Sequence, residues 1–251
     1  MPPYNPNPAI IEASLRELRK IVEWTTTRAQ APEGALLVLI GGWAVDAYNP
    51  YLGSIDIDLV TNSRTKRSLM HHLNNHEGYR YNNQFPLGKT VLKETEHGPI
   101  ILDFSSFGTE NSFEGHRGIP FTLDILRGNT VTKRIRNGPE IAVPNRAVLV
   151  LLKLKAAWDR TYRIEHGIPL FDEQWERSKM VKDCADVLAL IDPDCGGYEI
   201  DLEILGREIE RFDFLREQLR RIPTIDAARE RYERMTEKTI LTVCDNLLSI
   251  L

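Results

Sequence analysis

Two aspartates separated by a single isoleucine, Asp56 and Asp58, stand at the head of the apolar run "DIDLV". On a strand, side chains alternate between faces, so residues two apart point the same way. Carboxylates that close repel each other unless a cation lies between them. Magnesium takes hard oxygen ligands of this kind and keeps substrate phosphates in its shell. The plainer alternative is the wet face of an amphipathic strand, with Ile55, Ile57 and Leu59 turned to the core. A third acid favours the metal reading: Asp103 interrupts the apolar segment "GPIILDFSSF". An acid at the centre of an apolar strand needs a partner for its charge. Asp124 in "FTLDIL" competes for the same role. Asp103 is preferred because its strand is the more apolar.

Gly41 and Gly42 end another apolar run, "ALLVLI", and precede a short helix-like segment. Glycine lets a backbone come close to a ligand and adopt conformations barred to other residues. The N–H groups that open a helix suit phosphate. For Gly-Gly taken alone, a simple tight turn is the better account. Neither G-x-x-x-x-G-K-[ST] nor G-x-G-x-x-G occurs, so a phosphate site here is of neither the P-loop nor the dinucleotide-binding type.

Thirteen residues separate Gly42 from Asp56. Gly-Gly, a short helix, an Asp-hydrophobic-Asp strand and a later strand aspartate together resemble the nucleotidyltransferase superfamily that includes DNA polymerase beta. "GGWAVDA" is similar to the opening motif of aminoglycoside and lincosamide nucleotidyltransferases. Downstream, "KLKA" at 153–156 and "KDCADVLAL" at 182–190 resemble the abortive-infection type nucleotidyltransferase toxins and their minimal relatives. The chain departs from the family where an arginine often precedes the aspartate pair. Here the sequence reads "YLGS".

The resemblance implies transfer of a nucleoside monophosphate from a nucleoside triphosphate, ATP among the donors, to an acceptor hydroxyl, with release of pyrophosphate. It implies two magnesium ions, or manganese in their place, on Asp56, Asp58 and Asp103, and phosphate contacts from Gly41 and Gly42. It also implies a triphosphate cation at Lys153, with Lys155 as the alternate, and a catalytic role for Asp183. Residue by residue, other readings stand. Lys153, among Leu151, Leu152 and Leu154, fits a lysine whose stem covers an apolar helix face. Asp183 lies four residues from Lys179, and Asp186 four from Lys182, the spacing of helix-surface ion pairs. The acceptor implied is RNA such as a tRNA end, a protein hydroxyl, or a small molecule such as an antibiotic. A toxin-type role would bring an antitoxin partner. A regulatory nucleotide-binding protein without catalysis is the contrasting class.

The elements that must position these residues follow from periodicity. Residues 8–30 form a helix on the spacing of Ile10, Ile11, Leu15, Leu18, Ile21, Val22 and Trp24. "APEG" breaks it, and residues 43–48 make a turn or two of helix. Residues 63–76 are helical. From Tyr79 to Val143 strand-like segments alternate with Gly, Pro and Asn: "KTVLKE", "PIILDFSSF", "FTLDIL", "TVTKRI" and "EIAV". Beyond Pro144 nearly everything reads as helix, broken at "HGIP", "DPDCGG" and "RIPT". The fold class is therefore α+β: a mixed sheet with flanking helices in residues 1–143, then a helical bundle in 144–251.

Length, composition and charge set the outer limits. The chain has 251 residues, 42% hydrophobic and 27% charged, with a net charge of −4. These are ordinary values for a globular protein and carry no global nucleic-acid footprint. Cys184, Cys195 and Cys244 form neither a disulfide framework nor a zinc pattern, which fits a reducing cytoplasm. No apolar run reaches the length of a membrane span, and "MPPYNPNPAI" is not a secretory leader. His72 and His76 lie four apart on one helix, but "HLNNH" lacks the glutamate of zinc proteases and reads as a polar face. His97 and His116 fall in loops without a visible partner. Trp43 is expected to pack under the short helix rather than stack on a base.

Overall fold

A computed structural model describes residues 7–28, 37–81 and 90–250. The helical spacing at the start of the chain produces α1, Pro8–Arg28. Its stripe of Ile10, Ile11, Leu15, Leu18, Ile21 and Val22 is buried. Residues 29–30, "APEG" and the first two residues of "ALLVLI" lie outside the described residues. The remaining four form β1, Leu37–Ile40. The helix α2 begins at the first glycine, Gly41–Asp46, earlier than the sequence suggests. β2 spans Ile57–Thr61, so Asp56 sits in the bend just before the strand rather than on it.

α3, Ser63–His76, starts where the Asn62 side chain accepts from the Thr65 N–H, satisfying one of the unpaired donors of the first turn. The short β3, Arg80–Tyr81, is followed by β4, Thr90–Thr95, and β5, Gly98–Ser105. "FTLDIL" forms no strand. Leu123–Leu126 is a 3-10 turn, which buries Leu123 and Leu126 on one side because residues three apart eclipse in that geometry. Asp124 stays outside and pairs with Arg127 at 2.7 Å. β6, Thr130–Arg134, and β7, Glu140–Pro144, complete the sheet.

The order is β3-β4-β5-β2-β1-β7-β6. β2–β5 and β1–β7 are parallel, and the other neighbours are antiparallel. The sheet is mixed, as the sequence indicates. β5 alternates cleanly: Ile100, Leu102 and Phe104 are buried, whereas Ile101, Asp103 and Ser105 are half-buried.

After Pro144 come α4, Arg146–Glu165, and α5, Glu173–Ile191. Four shorter helices follow: α6 Leu202–Arg211, α7 Leu215–Arg221, α8 Asp226–Tyr232 and α9 Glu237–Ile250. Asn145, Asp172 and Asp201 cap α4, α5 and α6 through their side-chain oxygens. No helix among the described residues is long and apolar enough to cross a membrane.

The chain divides into two compact units. The sheet unit runs to Glu110 and resumes over Thr122–Pro144; the helical unit contains Asn111–Phe121 and the chain from Asn145. The later break falls between Pro144 and Asn145, and the segment 111–121 belongs to the helical unit. Phe113 explains this: it is fully buried and meets the rings of Phe121, Phe212 and Phe214 at 5.4, 4.8 and 5.0 Å.

Candidate active site

In the sheet unit, pairing register brings the predicted acids together. Asp58 on β2 stands opposite Asp103 on the parallel neighbour β5. Asp103 in turn stands opposite Thr90 on β4, and Asp58 opposite Ile40 on β1. Thr90, Asp103, Asp58 and Ile40 thus form one transverse row across four strands. Partners in register lie on the same face, so three polar side chains, Thr90, Asp103 and Asp58, line up toward Ile40, the residue before the glycine pair. Ile57 and Leu59 turn to the core beneath it. Asp56 is two residues back from Asp58, half-buried in the bend.

Gly41 closes the row. Its φ is +70°, in the left-handed region. A Cβ built there would lie 2.0 Å from Asp58 Oδ2 and 2.8 Å from its Cγ. Only glycine allows the backbone and the carboxylate to share that space. The glycine at 41 therefore has a reason beyond turn geometry. Gly42 is buried within α2.

Asp103 Oδ1 accepts a short hydrogen bond from the Thr90 hydroxyl. Thr90 escapes a motif search, yet a signal for it exists. The β4–β5 hairpin pairs Thr95 with Gly98, and counting back along both strands sets Thr90 against Asp103. The turn "TEHG" thus fixes the partner.

Among the described residues, no group of three or more His, Cys, Asp or Glu side chains converges as a closed metal site. The donor set that register does assemble consists of the Asp58 and Asp103 carboxylates, with Asp58 seated against Gly41. That arrangement fits magnesium, which is held by one or two carboxylates plus substrate phosphates rather than by an all-protein cage.

Around the row, α2 is anchored twice. Trp43 is fully buried and donates through its indole to Ser14 Oγ at 3.0 Å; Ser14 donates to the Ile55 carbonyl at 3.0 Å. Asp46, 1% exposed, receives Nε and Nη2 of Arg136 at 2.8 and 3.0 Å. Arg136 itself has φ +50°, a left-handed conformation that a non-glycine residue holds only when its surroundings fix it. A second group joins α1, β4 and the segment between α3 and β3. Glu17 meets Lys93 at 2.9 Å, Lys20 at 3.1 Å and the Tyr79 hydroxyl at 3.1 Å. Burial alone would raise the Glu17 pKa, but the two lysines outweigh it and hold the carboxyl below its ordinary value.

His72 stacks on Trp24 at 4.9 Å, lies 3.7 Å from Glu77, and its ring is 5.3 Å from that of His76.

In the helical unit, Lys153, Asp183 and Asp186 come together inside the α4–α5 pair. Lys153 Nζ lies 3.0 Å from Asp183 and 2.6 Å from Asp186. Lys182 reaches Asp186 at 2.7 Å, Arg160 reaches Asp183 at 2.9 Å, and Arg163 holds the fully buried Glu176 at 2.5 Å. Burial works against charge on Lys153, yet its two aspartates raise its pKa well above the lysine range. Burial likewise works against ionised Asp183 and Asp186, and Lys153 foremost among the nearby cations holds both below the ordinary carboxylate range. The helix-surface pairing suggested by sequence holds for Lys182 with Asp186, but that pair is buried rather than solvated. Lys179 turns its amino group over the Trp175 ring at 5.6 Å. Lys155 pairs with Asp159 at 2.5 Å and lies 4.8 Å above the Phe113 ring.

Compared with known proteins, the chain matches no protein-family model and no curated protein. Among solved structures it is similar to that of the antibiotic-resistance factor ANT(2'')-Ia, at 14% identity over 82% of this chain and 96% of that one, with a TM-score of 0.45. At that score the overlap is too loose to transmit family or function.

Proposed function

We propose that the protein is a magnesium-dependent nucleotidyltransferase that moves a nucleoside monophosphate from a nucleoside triphosphate to an acceptor hydroxyl. The observation that carries the reading is the register of Asp58 and Asp103 across β2 and β5, beside a glycine whose missing side chain keeps Asp58 in place. The motif resemblance from Gly41 to Asp103 points the same way.

In the reaction, the acceptor oxygen forms a bond to the α-phosphorus, the bond from that phosphorus to the bridging oxygen breaks, and pyrophosphate leaves. Asp58 and Asp103, with Asp56 beside them, would hold the divalent cation, which supplies charge neutralisation and a lowered pKa for the hydroxyl when bound. Asp103, which accepts from Thr90 through Oδ1, is assigned the hydroxyl proton. Gly41 and Gly42 let the backbone approach the phosphates. Lys153 and Asp183, committed to one another in the helical unit, are given the role of fixing α4 against α5.

Two acceptors are put forward. An RNA end, with an antitoxin as partner, follows the resemblance at "KLKA" and "KDCADVLAL". An aminoglycoside-type small molecule follows "GGWAVDA". The test is incubation with each of the α-labelled triphosphates, magnesium, and in turn total RNA, protein extract and aminoglycosides. Label transferred to one acceptor class by the parent, and lost in Asp58→Asn and Asp103→Asn, is the expected result. Label on no acceptor with any nucleotide overturns the reading in favour of a non-catalytic binding protein.

A further inference from the structure

We infer that Thr90 is a positioning residue of this site, one that sets the orientation of the Asp103 carboxylate. The inference rests on the metal-site reading above. Thr90 opens β4, is 5% exposed, and faces Asp103 in antiparallel register. Its hydroxyl donates to Asp103 Oδ1. A carboxylate on a strand can turn about its terminal torsion, which is broad and roughly two-fold rather than locked. A fixed donor on one oxygen removes that freedom and defines which oxygen is turned to Thr90.

The rest of the row supports the assignment. Asp58, on the other side of Asp103, takes the space that a side chain at Gly41 would fill. Each acid of the row thus has a neighbour suited to it: Gly41 makes room for Asp58, and Thr90 donates to Asp103. Groups that orient metal-bound carboxylates have large effects although they never touch the ion. β-Branching suits Thr90 to its strand, but valine would serve the strand as well. The hydroxyl is what distinguishes threonine here, and Asp103 is the acceptor it reaches.

The test compares Thr90→Val, which removes the hydroxyl and keeps the shape, with Thr90→Ser, which keeps the hydroxyl. Thr90→Ala accompanies them in case the valine variant does not fold. Manganese binding is measured on the full chain by calorimetry and by the electron-spin signal of the bound ion, with circular dichroism to confirm folding. Thr90→Val, or Thr90→Ala in its place, is expected to weaken manganese binding by about 10-fold or more, and Thr90→Ser to stay within about twofold of the parent. Asp103→Asn abolishing binding while Thr90→Val and Thr90→Ala bind as the parent does would overturn the positioning role and leave the metal site standing. Failure of the serine variant to restore binding would also overturn it. A parent that binds no manganese, with or without a triphosphate, would overturn both the metal site and this role.

Discussion

Gly41→Ala is the most incisive single perturbation of the proposed site, because its cost can be worked out in two separable parts. The backbone at 41 has φ +70°, and a side chain held in the left-handed region costs about 1–2 kcal/mol. The new Cβ would then stand 2.0 Å from Asp58 Oδ2, 2.8 Å from Cγ and 3.1 Å from Cβ. Turning the carboxylate about its terminal torsion relieves only the first contact, because Cγ lies on that axis; relieving the second swings the whole side chain about χ1, so Asp58 is pushed off its preferred rotamer for a further ~0.5–1.5 kcal/mol, with the third contact still tight. Together these amount to about 1.5–3.5 kcal/mol, which lowers Tm by roughly 3–14 °C for a chain of this size. Gly128→Ala is the control: its φ is +76°, yet nothing lies within 4 Å of an added Cβ. It carries the backbone cost without the clash. Both variants are compared by thermal unfolding, manganese calorimetry and labelled-nucleotide transfer. Gly41→Ala is expected to lose about 100-fold or more in transfer, because a reacting group displaced by an ångström costs that much. Gly128→Ala should lose stability and keep the parental rate. Parental transfer and manganese affinity in Gly41→Ala would refute the placement of Asp58 at the chemistry.

Asp124→Asn should leave transfer within about twofold of the parent, as expected for a surface change; a loss as large as that of Asp103→Asn would return Asp124 to the site. Lys153→Met strips a buried cation from two aspartates and should destabilise the protein by about 3–5 kcal/mol, read as a lowered urea midpoint; an unchanged midpoint would show that Arg160 and Lys182 suffice. Asp183, held down to about 2 from the usual 3.8, and Asp186, held down in the same direction, contribute stability that is complete above the ordinary aspartate range and lost as pH falls through the folded values. Urea midpoints should therefore fall between about pH 4 and pH 2, and fall less in Lys153→Met. Arg136→Met leaves Asp46 buried without its guanidinium and should cost about 3 kcal/mol or more, a loss that Asp46→Asn in the same chain partly relieves in a double-mutant cycle.

Periodicity reveals the sheet and the helices because burial imposes it. The stripe of α1 and the alternation of β5 are each visible as apolar spacing. The acid pair and the glycines are visible as a motif because their chemistry needs particular residue types. What periodicity misses depends on partners distant in the chain. Leu123 and Leu126 look strand-like until one sees that a 3-10 turn buries both. Lys153 reads as a snorkelling lysine because its counter-charges, Asp183 and Asp186, lie a whole helix away. Asp56 is only two residues from Asp58, yet where β2 begins is set by pairing with β5 at Ile57, which no local pattern encodes. The pairing of Arg136 with Asp46 spans 90 residues.

The excursion of residues 111–121 limits how the protein can be taken apart. The chain leaves the sheet unit after Glu110, contributes Phe113 to the aromatic core of the helices, and re-enters at Thr122. A fragment ending at Pro144 would carry Phe113 and Phe121 away from Phe212, leaving two large aromatic rings without the surface that covers them. No single scissile position therefore yields a self-contained sheet unit. A clean dissection requires replacing residues 111–121 with a short polar linker as well as cutting after Pro144, and split-protein or domain-exchange designs should keep that segment with the helices.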